Sequence, residues 1–125
     1  MAVEKRTIEV TTTGSAGSAA GTGAVAVPAG AEVLALHIDY HASAPATTDV
    51  TLSAVGEPDS QTIETITSSV TDGWHYPRQQ VRDSAGALVA GAYDRFIAHA
   101  GILTVAVAQC DALTDAVVAT IYLRS

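Results

Sequence analysis

The sequence contains little cysteine, few aromatic side chains and little positive charge. Cys110 is the only cysteine among 125 residues, which excludes an internal disulfide and a metal cluster built on cysteines. Aromatic residues make up 5% of a chain that is 48% hydrophobic, so alanine, valine, isoleucine and leucine must fill the core. These small side chains favour thin, regular layers around a single core.

Basic residues are few and scattered along the chain. There are 6 of them against 13 acidic residues, and the formal net charge is −7. Nucleic acids and anionic membranes both attract clustered lysine and arginine, so we expect neither as a partner. The start, MAVEKRTIEV, predicts no signal peptide, and no apolar run approaches the ~20 residues of a membrane helix. We therefore expect a soluble protein made in a reducing cytoplasm.

Alternation of apolar and polar residues between turn signals predicts an all-β fold. We expect an antiparallel β-sandwich or jelly-roll-like domain over residues 1–125, with about seven to nine strands. Residues 1–6 are predicted as an N-terminal arm and the Gly/Ser/Ala-rich residues 14–23 as a flexible loop. Residues 71–91 are predicted as an irregular excursion with one or two short strands. The main predicted strands cover residues 7–12, 24–27, 32–41, 48–55, 61–67, 102–108 and 116–123.

The period of two assigns faces within these strands. Residues 50, 52 and 54 are expected in the core, and the last two strands are expected to pair as a C-terminal hairpin. Ile63 and Ile66 fall at opposite parity, which indicates a bulge or a strand covered on both faces. The strand at 32–41 has the clearest core set: Leu34, Leu36, Ile38 and Tyr40.

The opposite face of that strand carries His37, Asp39 and His41 in an H-x-D-x-H pattern. These three side chains are weak candidates for a metal site, as in an enzyme on a jelly-roll scaffold, although same-face neighbours lie ~7 Å apart and would have to converge. The alternative is a polar strand face in solvent or at an interface. The glycine-rich run lacks the lysine and the helix of a phosphate-binding loop, and no nucleophile elbow occurs. We therefore expect no catalytic residue, no enzyme activity and no cofactor.

An aromatic and cationic segment offers the best candidates for an interface. Trp74, His75, Tyr76 and Arg78 combine residue types that are enriched where proteins meet. Two alternatives remain open for this segment. Trp74 could plug one end of the sandwich, or the aromatic rings could contact a ligand such as a sugar.

Several stretches together resemble a group of small tailed-phage virion proteins. They are the Gly/Ser/Ala-rich run, EVLALHIDYHASAPATTDVTL, TDGWHYPRQQVRDSAGA and TVAVAQCDALTDAVVATIYLR, which extend over most of the chain from Ile8 to Arg124. The resemblance implies a head decoration, or cement, protein that binds the major capsid protein on the outer surface of the assembled head. It also implies a homo-oligomer, with a trimer favoured, but it assigns no role to a single residue.

Other functions share the same sequence features. One is a carbohydrate-binding or adhesion β-sandwich that uses the aromatic segment. Another is a tail or neck component of the virion. Net acidity favours the head exterior, because an acidic protein is repelled by packaged DNA.

Overall fold

The computed structural model describes residues 2–56 and 59–125. The predicted all-β, antiparallel fold is confirmed, with sheets that curl into a half-barrel consistent with a β-sandwich. The described residues form more strands than expected, because the excursion after residue 71 adds several short ones. They are β1 (Val3–Val10), β2 (Ala19–Ala26), β3 (Ala31–Tyr40), β4 (Asp49–Ala54), β5 (Gln61–Ile66), β6 (Gly73–His75), β7 (Gln79–Arg82), β8 (Leu88–Asp94), β9 (Ile97–Ala98), β10 (Ile102–Cys110) and β11 (Val117–Arg124).

Two larger sheets enclose the core. Sheet I has the order β1-β11-β3-β6, with β9 also paired to β3, and sheet II has the order β2-β10-β4-β5. Every pairing is antiparallel. Strands that follow one another therefore run in opposite directions, and the connections collect at two ends. We call the end with the β1–β2, β3–β4, β5–β6 and β10–β11 connections the loop end, and the opposite end the arm end.

The core contains small aliphatic side chains from both sheets together with Tyr40 and Phe96. The predicted inward positions in β4 are confirmed, since Val50, Leu52 and Ala54 are each 1% exposed. Burying a leucine or isoleucine side chain contributes about 1.5–3 kcal/mol, so stability is spread over many moderate contributions. Cys110 is also buried, at the loop end of β10.

The first half of β3 differs from the predicted faces. Val33, expected outside, is fully buried, whereas Leu34, expected in the core, is only half-buried. The reason is a bulge: Tyr122 of β11 pairs with Ala35 and Leu123 pairs with Val33, which leaves Leu34 as an extra residue. A bulge shifts the alternation of faces by one position. From residue 36 to residue 40 the predicted core positions are confirmed.

The bulge predicted from the mismatched isoleucines of β5 is confirmed. Leu52 pairs with Glu64 and Ser53 with Thr62, so Ile63 is the extra residue. Its side chain is buried, and Ile66 packs against the core from a partly buried position.

The predicted C-terminal hairpin is wrong. β10 lies between β2 and β4 in sheet II, whereas β11 lies between β1 and β3 in sheet I. Residues 111–116 cross from one sheet to the other at the loop end. Thr12 fixes this crossing, because its backbone amide donates to the Leu113 carbonyl and its hydroxyl accepts from the Leu113 amide, each at 3.0 Å. Alternation identified both strands correctly, but it cannot specify which strands pair.

The predicted N-terminal arm is largely part of the sandwich. Val3 pairs with Arg124, so β1 begins there and residues 3–6 complete the edge of sheet I. Met1 lies outside the described residues. The Arg6 side chain donates to the Ala26 carbonyl at 3.3 Å and so joins the edge of sheet I to sheet II.

The predicted glycine-rich loop at 14–23 is also shorter than expected, because β2 begins at Ala19. Gly21 and Gly23 lie on β2 where it passes close to β1. A Cβ on Gly21 would overlap the Thr11 carbonyl oxygen, and one on Gly23 would lie 2.6 Å from Ile8 Cγ2. The absence of side chains at these positions allows the two sheets to meet along one edge.

The excursion after β6 forms a separate two-stranded hairpin, β7–β8, which we call the arm (residues 79–94). Its turn is held by Asp83, whose Oδ1 accepts from the amides of Ala85 at 2.9 Å and Ala87 at 3.0 Å. Within the arm, Gln80 pairs with Tyr93 and Arg82 with Leu88. Residues 89–92 therefore bulge opposite the single residue between those pairs.

Candidate functional site

The outer face of sheet I carries a cluster of aromatic rings. The β3–β6 pairing sets Trp74 directly opposite His37, and the β3–β11 pairing sets Thr120 on the other side of His37. Tyr122 lies two residues along β11 on the same face. The Trp74 ring centroid is 4.9 Å from that of His37 and 5.6 Å from that of Tyr122. Rings from three neighbouring strands thus form one surface.

Tyr76 extends this surface beyond the end of β6. Its ring stacks on Trp74 with centroids 6.5 Å apart and planes 17° from parallel. Trp74 remains 51% exposed and Tyr76 63% exposed. We call His37, Trp74, Tyr76 and Tyr122 the aromatic platform. Its stacking fixes the rings before any partner binds, which lowers the entropy that binding must overcome.

A shallow depression lies beside the platform. It has a volume of about 210 Å³ and is lined by Lys5, His37, Trp74, Thr120 and Tyr122. Pockets for drug-sized ligands usually measure about 300–1,000 Å³, so this depression suits one protruding side chain or one sugar ring. Its aromatic wall can contact an apolar face, while the lysine ammonium and the threonine hydroxyl can bind polar groups.

The four predicted interface residues occupy different positions. Trp74 and Tyr76 lie together on the outer face, so the idea that Trp74 plugs an end of the sandwich is wrong. His75 is half-buried and alternates to the other side of β6. Arg78 donates to the Pro77 carbonyl at 2.7 Å and to the Leu34 carbonyl at 3.5 Å. Arg78 therefore helps to fasten the start of the excursion to β3.

The three weak metal candidates are not brought together as a metal site. The His37 ring packs edge-on against Trp74. His41 lies beyond the end of β3, where its Nδ1 accepts from the Ser43 amide at 3.0 Å, and Asp39 is exposed. Within residues 2–56 and 59–125, no group of three histidine, cysteine or acidic side chains is arranged to hold a metal ion. On this strand face, His37 belongs to the aromatic platform instead.

The arm presents a second exposed surface, which the sequence did not predict. Leu88 is 54%, Val89 37% and Tyr93 63% exposed. The arm is fastened near its base, where Gln79 accepts from the Gln61 side chain at 3.3 Å and donates to the Arg95 carbonyl at 3.2 Å. β7 and β8 pack on each other, and neither packs closely along another described strand.

Charge is distributed unevenly between the two ends. All six basic side chains lie in the half that contains the arm end: Lys5, Arg6, Arg78, Arg82, Arg95 and Arg124. Two glutamates there form ion pairs, with Glu4 3.3 Å from Arg6 and Glu32 3.7 Å from Arg95. Partly exposed pairs of this kind stabilise by about 0–1 kcal/mol. The loop end instead carries a group of carboxylates: Glu9, Asp39, Asp49, Asp72, Asp111 and Asp115.

Tyr40 is a buried titratable group at the loop end of β3. Burial raises the pKa of Tyr40, and the negative charge of Asp72 raises it further. The polar side chain of Ser69 acts in the opposite direction and lowers this pKa. In the described part of the chain, the Tyr40 hydroxyl makes no hydrogen bond of good geometry. The Asp72 carboxylate accepts from the Tyr40 amide at 2.8 Å, so it is fixed close to the ring.

Comparison with known proteins adds no relative to this description. In the part of the chain that the structure describes, no helix is long and apolar enough to cross a membrane. The chain matches no protein-family model, no curated protein and no solved structure.

Proposed function

We propose that this protein is a structural virion protein that binds the outer surface of an assembled phage capsid and stabilises it. The observation that carries the proposal is the aromatic platform, in which exposed Trp74 and Tyr76 rings stack on the outer face of a continuous sheet. Tryptophan and tyrosine are enriched among the residues that dominate binding energy at protein interfaces. The resemblance to phage decoration proteins suggests the partner, which is the major capsid protein.

The physical mechanism is linkage between binding and shell stability. A protein that binds the assembled shell, and not its dissociated subunits, stabilises each site by RT ln(1 + [L]/Kd), about 2.7 kcal/mol at a hundredfold excess over Kd. Many identical sites cover a capsid, so a modest contribution per site becomes large for the whole particle. Such a role needs a rigid surface and requires neither a catalytic residue nor a cofactor.

Net charge is consistent with a position on the head exterior. The formal charge of −7 would be repelled by packaged DNA inside the shell. We therefore propose that the chain is made in the host cytoplasm and is added to the outside of the head.

The test is binding to heads of the source phage that lack this protein. Purified wild-type protein should co-sediment with these heads, and Trp74→Ala should weaken binding by tenfold or more, because truncating an anchoring aromatic typically costs about 2 kcal/mol. Ile102→Ala is the matched control, since Ile102 is also exposed, at 40%, but lies on sheet II. Equal binding by both variants, or no binding by the wild type, would contradict the proposal.

A carbohydrate-binding module is a second candidate, favoured by the depression beside Trp74. A sugar ring could lie against Trp74 or Tyr122, with a hydroxyl or a carboxylate near Lys5. A glycan array separates the two functions, because sugar binding that is lost in Trp74→Ala, without any binding to heads, would favour this candidate.

A tail or neck component would use the same platform. Copy number in purified virions, measured by quantitative mass spectrometry, distinguishes this position from the head. Hundreds of copies support decoration of the head, whereas a handful supports the tail or neck.

A further inference from the structure

The depression beside the aromatic platform is lined by side chains that can donate hydrogen bonds. Its five residues are Lys5, His37, Trp74, Thr120 and Tyr122. The lysine ammonium and the indole N–H can only donate, whereas the imidazole and the two hydroxyls can donate or accept. None of the five carries a carboxylate, although the chain has 13 acidic residues. The lining therefore matches a ligand that is rich in hydrogen-bond acceptors.

Lys5 gives the depression a positive charge that no carboxylate of the described residues neutralises. It lies on β1 opposite Tyr122 of β11, its side chain is exposed, and it takes part in none of the ion pairs in that part of the chain. The neighbouring Arg6, in contrast, lies 3.3 Å from Glu4. A partner that covered the aromatic rings would exclude water, which strengthens an ionic contact with the Lys5 ammonium.

The outer face of sheet I is positive on the side of Lys5 that leads to the arm end. There the next residue on the same face of β11 is Arg124, which pairs with Glu32 of β3. The Glu32 carboxylate is shared by two guanidinium groups, at 3.7 Å from Arg95 and 4.0 Å from Arg124. Two arginines and one glutamate leave this group with a net positive charge. It therefore does not repel an anion that approaches Lys5.

Acidic residues lie further away in the direction of the loop end. On β1 and β3, the first carboxylates on this face are those of Glu9 and Asp39, which both lie beside Val118 of β11. Glu9 is four residues from Lys5, or about 13 Å at a rise of about 3.3 Å per residue. This separation exceeds the screening length of about 8 Å at physiological ionic strength. The acidity of the whole molecule therefore does not prevent an anion from binding at Lys5.

We propose that the depression receives one aspartate or glutamate side chain of the major capsid protein. Its carboxylate pairs with Lys5, and its methylene groups lie against Trp74. The volume of about 210 Å³ suits a single side chain. This inference rests on the proposed function, because it takes the capsid protein as the partner, and it adds the chemistry by which the partner is recognised. A charge pair of this kind fixes the register of an interface.

The test compares two variants that lose the same single charge. Lys5→Gln removes it from the depression, and the control Arg82→Gln removes it from the arm, which is separate from the platform. Binding to heads that lack this protein is measured by co-sedimentation. Lys5→Gln should raise Kd at least about tenfold, because the partner carboxylate is left unpaired, and Arg82→Gln should stay within about twofold of wild type. Added salt should weaken binding of the wild type more steeply than that of Lys5→Gln.

Cross-linking identifies the partner group directly. Lys5 is the only lysine of the chain, and a carbodiimide joins an amine to a carboxylate only where the two are in contact. Mass spectrometry of treated, wild-type-coated heads should find Lys5 joined to an aspartate or glutamate of the major capsid protein.

The outcomes separate this inference from the proposed function. Heads that bind wild type, Lys5→Gln and Arg82→Gln equally well would overturn the inference and leave the proposed function standing. Heads that do not bind the wild type would overturn both. A cross-link from Lys5 to a second copy of this chain, with none to the capsid protein, would also overturn the inference. Circular dichroism spectra that match the wild type establish that each variant is folded.

Discussion

Replacing Gly21 by alanine tests the close approach of β1 and β2, on which the shape of the sandwich depends. The added Cβ would overlap the Thr11 carbonyl oxygen and lie 3.2 Å from Val10 Cγ1. The obstacle is backbone, and β1 is paired to β11 along its whole length up to Val10, so it cannot turn aside as a side chain would. The strands must therefore separate, and the contacts behind them must loosen.

The magnitude follows from two opposing effects. Overpacking of this kind costs about 1–3 kcal/mol, whereas replacing glycine by alanine stabilises by about 0.4–1 kcal/mol through the unfolded chain. A net loss of about 1.5 kcal/mol corresponds to a fall in Tm of roughly 6 °C for a domain of this size. Gly73→Ala is the matched control, because Gly73 also lies in a strand and its Cβ would enter open space.

Thermal melts followed by far-UV circular dichroism, together with urea titrations, measure the difference directly. We expect Gly21→Ala to melt below the wild type and Gly73→Ala to melt at or slightly above it. An unchanged m-value would show that the substitution has not altered the compactness of the folded or the unfolded state relative to the wild type. If Gly21→Ala is as stable as Gly73→Ala, the sheets do not meet as closely as described.

Three further predictions concern the core and the loop end. Leu36→Ala should lower the free energy of unfolding by about 2–5 kcal/mol in urea titrations, because Leu36 is fully buried in β3. The control, Ile102→Ala, should change this free energy by less than about 0.5 kcal/mol. Equal losses in the two variants would be inconsistent with this core. Thr12→Val should cost about 1–3 kcal/mol, since the Leu113 amide loses its acceptor, and an unchanged midpoint in the same titration would show that the crossing does not depend on this bond. The raised pKa of Tyr40 means that the folded state favours the neutral phenol. The contribution of Tyr40 to stability is therefore constant at low pH, and stability falls as the pH rises above about 10, where Tyr40 ionises in the unfolded chain. Tyr40→Phe should reduce that alkaline loss when urea midpoints at about pH 8 and pH 10.5 are compared, and parallel losses in both proteins would refute the assignment.

Local alternation was sufficient to predict much of the core. The inward positions of β4 follow from a period of two that no bulge interrupts, so Val50 and Leu52 were placed correctly. The same rule failed at Leu34, because a bulge depends on how β3 meets β11 and leaves no mark in the sequence of β3 alone. The hairpin of β10 and β11 failed for a related reason. Which strand lies beside which is decided by contacts between distant segments, and a single sequence does not display them.

The candidate site was predicted in part. Trp74 and Tyr76 could be selected because aromatic residues are rare in this chain, so a pair of them in an irregular segment is conspicuous. Lys5 and Tyr122 could not be connected with them, since they reach the same face only through the strand order β1-β11-β3-β6. The excursion that contains the arm was predicted, but its exposed apolar surface was missed, because apolar residues such as Tyr93 have the composition of ordinary core positions.

The burial of Cys110 has a practical consequence for labelling. Because the chain has no other cysteine and this thiol is enclosed at the end of β10, the native surface offers no group for maleimide reagents. A cysteine introduced on the arm would therefore react as the sole accessible thiol of the folded protein. A fluorophore could be attached to the arm in this way without replacement of Cys110.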